Sequence, residues 1–223
     1  RSRTRPTRRA CGATYRRCRL MARTTLLLAC GALAKEIAWL IHRNGWTHLQ
    51  VRYLPADWHN HPERIVPEID RRLTGWRDHY NTCFVAYGDC GTGGLLDAVL
   101  SKHGVERLPG AHCYEFFSGT ETFGQMMDEE PGTFFLTDFL VRHFEKLITK
   151  GLGLDRHPQL QDMYFGNYQR LVYLTQLPHP SLERQAQQAA ARLGLAYEQR
   201  LTGLDRFAAN LSALNLQGSA CLS

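Results

Sequence analysis

The sequence predicts an α/β fold: a mainly parallel sheet with crossover helices in a three-layer α/β/α arrangement. Three observations carry this. Short aliphatic runs alternate with segments that are apolar at helical spacing. TLLLAC and CFVAY are apolar at nearly every position, as strands covered on both faces require. No low-complexity linker interrupts residues 22–203, so residues 21–210 read as one domain, or as two Rossmann-like lobes meeting near 104–132.

The elements follow in order. TTLLLACGAL (24–33) is a buried strand and a turn. KEIAWLIHRNG (35–45) is a helix that stops at Gly45. HLQVRYLP (48–55) is a strand ended by Pro55. Residues 62–82 form a helix with Pro62 in its first turn and Pro67 as a point of kinking. CFVAYGDC (83–90) is the third strand, 93–103 a helix and VERLPG (105–110) a short fourth strand. HCYEFFSGTETFGQMMDEE turns into a helix. GTFFLTDFL (132–140) holds the fifth strand and runs into a helix. Residues 151–167 are a loop with a short helix. YQRLVYLTQ (168–176), SLERQAQQAAARLG and LAYEQRLTG (195–203) are strand, helix and strand. The remainder after 203 fades into a weakly helical tail, with 211–223 lying beyond the domain.

The net charge of +6 suggests nucleic acid until its position is examined. Residues 1–20 carry eight Arg and no acid, so the remainder has a net charge of −2. The acidic balance of the body argues against a nucleic-acid surface. The aromatic cluster Tyr164, Phe165, Tyr168 and Tyr173 then reads as core or pocket wall. Met21 follows the arm directly. The arm reads as translated sequence upstream of a start at Met21, with a disordered basic tail next. A targeting presequence would interleave more apolar residues. No apolar run approaches the roughly 18–20 residues a membrane span needs, and no secretory signal is visible. A cytoplasmic location with reduced thiols is expected.

Of seven cysteines, Cys11 and Cys18 lie in the arm and Cys221 at the C-terminal end. In parallel sheets, ligands bind outside the carboxyl ends of strands. Cys30 ends strand one, Cys90 ends strand three and Cys113 follows strand four, all at that edge. Cys83 starts its strand and reads as a packing residue. Three thiolates on one pocket would suit Zn²⁺ or an iron–sulfur cluster, with one position left open. No CxxC pair assembles such a site locally, so the fold must do so. A plainer reading makes them small buried residues at strand ends.

Two further readings use the same residues. Cys90 could be a nucleophile activated by a helix start. His112 would be its base, Asp89 or Glu115 would orient the base, and the amides of Gly91, Thr92, Gly93 and Gly94 would form an oxyanion hole. Alternatively GTGG is an anion cradle, although it lacks the P-loop pattern. His59-Asn60-His61 reads as solvated loop rather than metal site. Asp138 reads as a helix N-cap, and His143 and Lys146 as surface residues.

The segments ACGALAKEI, FVAYGDCGTGGLLDAVL, LPGAHCYEFFSG, PGTFFLTDFLVRHFEKLI and GLGLDRHPQLQDMYFGNYQRLVYL together resemble the domain of unknown function 1638 family, from about Leu26 to Gly203. The resemblance implies association with corrinoid proteins and methyltransferases. It thus implies a role in cobalamin-dependent methyl transfer or one-carbon metabolism, with a corrinoid supplied by a partner. Cys30, Cys90 and Cys113 are the positions matching its cysteine motifs. The expectation is a cytoplasmic metalloprotein. Asp89, His112 and Glu115 would serve as acid, base or outer-sphere groups. The alternatives are a metal-free cysteine enzyme of acyl-transfer or amidohydrolase type, and a non-catalytic partner of a corrinoid protein.

Overall fold

The computed structural model describes residues 24–220. The basic arm with Cys11, Cys18 and Met21, and Cys221, lie outside the described residues.

Two all-parallel sheets with flanking helices build the three-layer α/β/α fold expected from the sequence. The first sheet is formed by β1 (Thr25–Cys30), β2 (Leu49–Leu54), β3 (Thr82–Ala86) and β4 (Glu106–Arg107), in the order β2-β1-β3-β4. Its helices are α1 (Ala34–Asn44), α2 (Ile65–Trp76) and α3 (Leu95–His103). After β4 come α4 (Tyr114–Ser118) and α5 (Thr120–Glu129). The second sheet has the order β5 (Thr133–Thr137), β6 (Arg170–Thr175), β7 (Ala196–Leu201). Its helices are α6 (Asp138–Arg142), α7 (Leu160–Phe165) and α8 (Pro180–Leu193), and α9 (Asp205–Ala220) follows β7 and returns to the core of the first sheet. A π-helical turn, Glu145–Lys150, follows α6.

The period-2 geometry of a strand sends alternate side chains to opposite faces, and both faces of β1 and β3 are buried. Leu26, Leu28 and Val85 pack on Ile65, Ile69 and Leu73 of α2 and on Leu96 and Leu100 of α3. Leu27, Ala29, Phe84 and Ala86 pack on Ile37 and Leu40 of α1 and on Phe116 and Phe117 of α4. The crossover after β1 therefore covers one face and the crossover after β3 the other. The connections diverge between β1 and β3, which makes the gap at their carboxyl ends the topological switch point of the sheet. In the second sheet, Leu136, Leu171 and Tyr173 face α6 and α8, while Phe135, Val172 and Leu174 face Phe123 and Met126 of α5.

Several boundaries differ from the sequence expectation for identifiable reasons. The helix expected over 62–82 runs only from Ile65 to Trp76, between 3₁₀ turns. Pro67 is its third residue, in the first turn, where a missing amide costs no helical hydrogen bond, so it does not kink the helix. Strand three ends at Ala86 rather than Cys90, because the amides of Asp89 and Cys90 turn to Gly110 O and Ala111 O at 3.2 and 2.9 Å. The weakly helical C-terminal segment is α9, whose Phe207 and Leu211 are core residues packed with Phe116 and Phe117. Thr137, not Asp138, caps α6, its hydroxyl accepting from the Leu140 amide at 3.4 Å. Asp138 is wholly buried. His143 and Lys146 are exposed, as expected.

Packing also buries Glu36 of α1, which is 2 % exposed and whose Oε2 has no hydrogen-bond partner. Burial pushes its pKa up, the charge of Asp138 adds to this, and Arg142 and Lys35 oppose it. A group whose folded pKa is raised contributes stability that is full below its unfolded pKa, roughly 4.3, and is lost as pH rises through the folded value. Glu36→Gln is therefore expected to stabilise the protein at pH 8 by about 1 kcal/mol or more and to leave it unchanged near pH 4. Urea unfolding at the two pH values checks this; equal effects at both would contradict it.

Candidate functional site

At the switch point β1 delivers Cys30, the loop after β3 delivers Cys90 and the loop after β4 delivers Cys113. Each position has a local cause. Cys30 ends β1 opposite Leu54 of β2, and its sulfur accepts from the Ala32 amide at 3.4 Å. Gly31 must be glycine, since a Cβ there would lie 2.8 Å from Leu54 O. The loop after β3 is pressed on the loop after β4: a Cβ on Gly88 would lie 3.0–3.1 Å from backbone atoms of Ala111 and His112. That approach, with the Asp89 and Cys90 amide bonds to Gly110 and Ala111, carries Cys90 toward Cys113.

Asp89 organises the glycine turn. Its carboxylate accepts from Thr92 Oγ1 at 2.7 Å, the Gly93 amide at 3.1 Å and the Gly94 amide at 2.9 Å. The Gly94 and Thr92 hydrogen bonds hold its pKa below the usual carboxylate range. The turn is thus a cradle whose anion is Asp89 itself. The amides of Gly93 and Gly94, expected to receive an oxyanion or a ligand, are occupied by this side chain. Glu115 does the same for the next loop, its Oε1 accepting from the amides of Ala111 and His112 at 2.7 and 3.0 Å. Both carboxylates hold loops.

Within this frame Cys90 adopts φ 49°, the left-handed region, and it is the one non-glycine residue with positive φ among those described. A side chain there costs about 1 kcal/mol or more, so the residue is held by its surroundings. Cys90→Gly is expected to be more stable than Cys90→Ala by about 1 kcal/mol. Thermal or urea unfolding of the two variants measures the difference; no difference would mean that the turn relaxes.

The three residues are half-buried, and crowding around their sulfurs dominates the electrostatics. Burial pushes the Cys90 thiol up to about 11, and the charge of Cys30 adds to this, while the facing amides of Gly88 and Cys113 oppose it. Burial likewise raises Cys30. It raises Cys113 well above the usual thiol range, with Cys90 and Cys30 as the next causes. The charge of Cys30 thus reaches Cys90, and the charges of both reach Cys113. This is opposite to the lowering expected from a helix start, because α3 begins only at Leu95, five residues beyond Cys90. Cys83 lies in the core at the opposite end of β3.

Sequence reasoning missed Tyr87. It lies one residue past β3 in the run FVAYGDC and is 2 % exposed, and its Oη has no partner of good hydrogen-bond geometry. Burial raises its pKa, followed by the charge of Cys30, a weak hydrogen bond to that thiol and the charge of Cys90. An orphaned phenol beside two thiols was not legible, because an aromatic residue in a strand run looks like core.

His112 packs 6.0 Å from the Phe123 ring and 6.2 Å from the Tyr114 ring. No Cys90–His112 hydrogen bond occurs among the described residues. His59 comes near instead: crowding and then the charge of His112 lower its pKa, although the side chain keeps solvent exposure. The neighbouring Asn60 donates to Leu147 O in the π-helical turn at 3.2 Å, tying the loop after β2 to the second half of the chain. Among the described residues, no three His, Cys, Asp or Glu side chains stand close enough as placed to hold a metal ion. No helix among them is long and apolar enough to cross a membrane.

A family model described as "Protein of unknown function (DUF1638)" matches residues 53–211, more than two thirds of the chain. The chain belongs to that family. Cys90 and Cys113 lie within the matched span, and Cys30 precedes it. No curated protein matches the chain.

Proposed function

On the premise of this family membership, we propose that the protein is a thiol-based metal-binding α/β protein whose site is built by Cys30, Cys90 and Cys113. The observation that supports the reading is that Cys30, Cys90 and Cys113 come from three separate segments at the carboxyl edge of the first sheet, with the charge of Cys30 reaching Cys90 and both reaching Cys113. The donor set suits Zn²⁺ or an iron–sulfur cluster, both of which take soft thiolates. The orphaned Tyr87 Oη beside Cys30 and Cys90 is in keeping with a site for a further group. A bound cation would supply Lewis-acid or redox chemistry at an open position, serving methyl transfer or a corrinoid partner in the role the family resemblance suggests.

The protein's own residues would act around that group. Asp89 and Glu115 hold the Cys90 and Cys113 loops in place. Tyr87 would offer a phenol beside Cys30 and Cys90, and the apolar shell around Cys30 would limit water. The sulfurs must be drawn inward and deprotonated on binding, so proton release should accompany metal uptake. A nucleophile built on Cys90 would instead need an accessible thiolate at neutral pH, and the upward push of burial weighs against it.

The test is metal and sulfide analysis with an absorption spectrum on anaerobically purified protein, followed by titration of Zn²⁺ and Fe²⁺ into metal-free protein. Stoichiometric binding with proton release is expected. Protein that carries no metal and takes up neither ion would overturn the reading. Cys90-selective alkylation at neutral pH in such protein would favour the nucleophile, and co-purification with a corrinoid protein the accessory role.

A further inference from the structure

The two sheets are joined where the first turn of α1 approaches α6. The helix α6 packs against the 3₁₀ turn Gly31–Leu33 that leads into α1, and the charges of Asp138 and Arg142 reach Glu36. We propose that this junction is a proton-held clasp: α1 and α6 stay closed while Glu36 carries a proton, and part when the proton leaves.

Two buried carboxyls in opposite situations decide its behaviour. Asp138 is fully supplied with donors, from the Tyr173 hydroxyl and the Gln176 and Leu177 amides. Glu36 is 2 % exposed and its Oε2 has no donor. A neutral carboxyl tolerates that position. A carboxylate there is an under-solvated charge beside a second acid. The groups facing Glu36 are Asp138 and Arg142 from α6, Lys35 from α1 and Tyr53 from β2. Lys35 is exposed. Arg142 stands 3.8 Å from Asp138, so its charge is shared with an acid already present. Burial and the charge of Glu36 push the Tyr53 phenol up, so Tyr53 brings no opposing charge. An ionised Glu36 is therefore best served by water, and water reaches it when α1 and α6 move apart.

Glu36 lies on a helix of the first sheet and Asp138 and Arg142 on a helix of the second, so the opening is a relative movement of the two halves. It uncovers the end of β1, because Gly31–Leu33 follows Cys30 directly. The sign follows from linkage: the closed state holds the proton more tightly than the open one, so opening grows as pH rises from roughly 4.3 through the closed-state value. The clasp works in the same way whatever the thiols bind.

Amide hydrogen exchange of the full chain at pH 4 and pH 8, corrected for intrinsic rates, tests this. The probes are the amides of residues 38–41 in α1 and of His143, which donates to Phe139 O at 3.1 Å. They should exchange through an opening smaller than global unfolding, and so faster than the amides of Leu171 and Val172 in the central strand β6. Their protection should fall about tenfold or more from pH 4 to pH 8, since each pKa unit between closed and open states is tenfold in the opening equilibrium. Glu36→Gln should remove most of this fall, and Arg142→Gln, which deletes the opposing cation, should enlarge it. Strong protection of Leu171 and Val172 shows that each variant is folded. Junction amides that exchange no faster than those of β6 would overturn the proposal. So would a fall in Glu36→Gln equal to that of the wild-type chain.

Discussion

Serine at Cys90 or at Cys113 is expected to abolish stoichiometric metal binding, and serine at Cys30 to do the same. On the proposed reading, losing one of three thiolates removes a direct ligand. The affinity loss should exceed the roughly 10–100-fold that follows when an outer-sphere partner is removed. All three variants should fold, because the thiols are half-buried and the loops are held by Asp89, Glu115 and backbone bonds rather than by sulfur. Cys83→Ser provides the contrast: its sulfur packs at the far end of β3, so it should cost stability and spare metal content. Metal content per chain together with unfolding midpoints separates the cases. Metal loss in Cys90→Ser alone would point to a one-thiol chemistry. Full retention in any of the three would remove that residue from the site.

The largest stability effect is expected at Asp138. Its carboxylate accepts from Tyr173 Oη at 2.8 Å, from the Gln176 amide at 3.1 Å and from the Leu177 amide at 3.0 Å. Its own amide donates to Gln176 Oε1 at 2.7 Å, and Arg142 stands 3.8 Å away. Asp138 and Tyr173 are fully buried. Asp138→Ala leaves three donors without an acceptor, each costing roughly 1–3 kcal/mol when buried. A loss of about 3–5 kcal/mol is expected, which is a large share of a domain's stability. Tyr173→Phe removes one donor along with its bond and should cost only about 1 kcal/mol. Urea unfolding of both variants decides the matter. An Asp138→Ala loss no larger than that of Tyr173→Phe would mean that water replaces the carboxylate.

Much of the fold was legible because buried parallel strands announce themselves. TLLLAC and CFVAY are apolar on both faces, and the glycines after α1, α3 and α8 stop helices in the left-handed conformation. The edge holding Cys30, Cys90 and Cys113 followed from strand direction alone. Less legible were features whose meaning depends on a distant partner. Asp138 sits where an N-cap is expected, yet β6 and the segment after it claim its carboxylate. Phe207 looks like part of a weak helix until Phe116 and Phe117 are placed beside it, with rings 6.0 and 5.4 Å apart.

The roles within the site divide in the same way. Periodicity and strand polarity, which are local properties of the chain, determined the α/β class and the sheet edge at which three cysteines emerge. Only the tertiary structure decided that Asp89 occupies its own glycine cradle, that Glu115 holds the loop of His112, and that the buried Tyr87 phenol lies beside Cys30 and Cys90. The reason is physical. A hydrogen bond or a desolvated charge depends on the environment made by groups remote in sequence, and residue type states what a side chain can do but not what surrounds it.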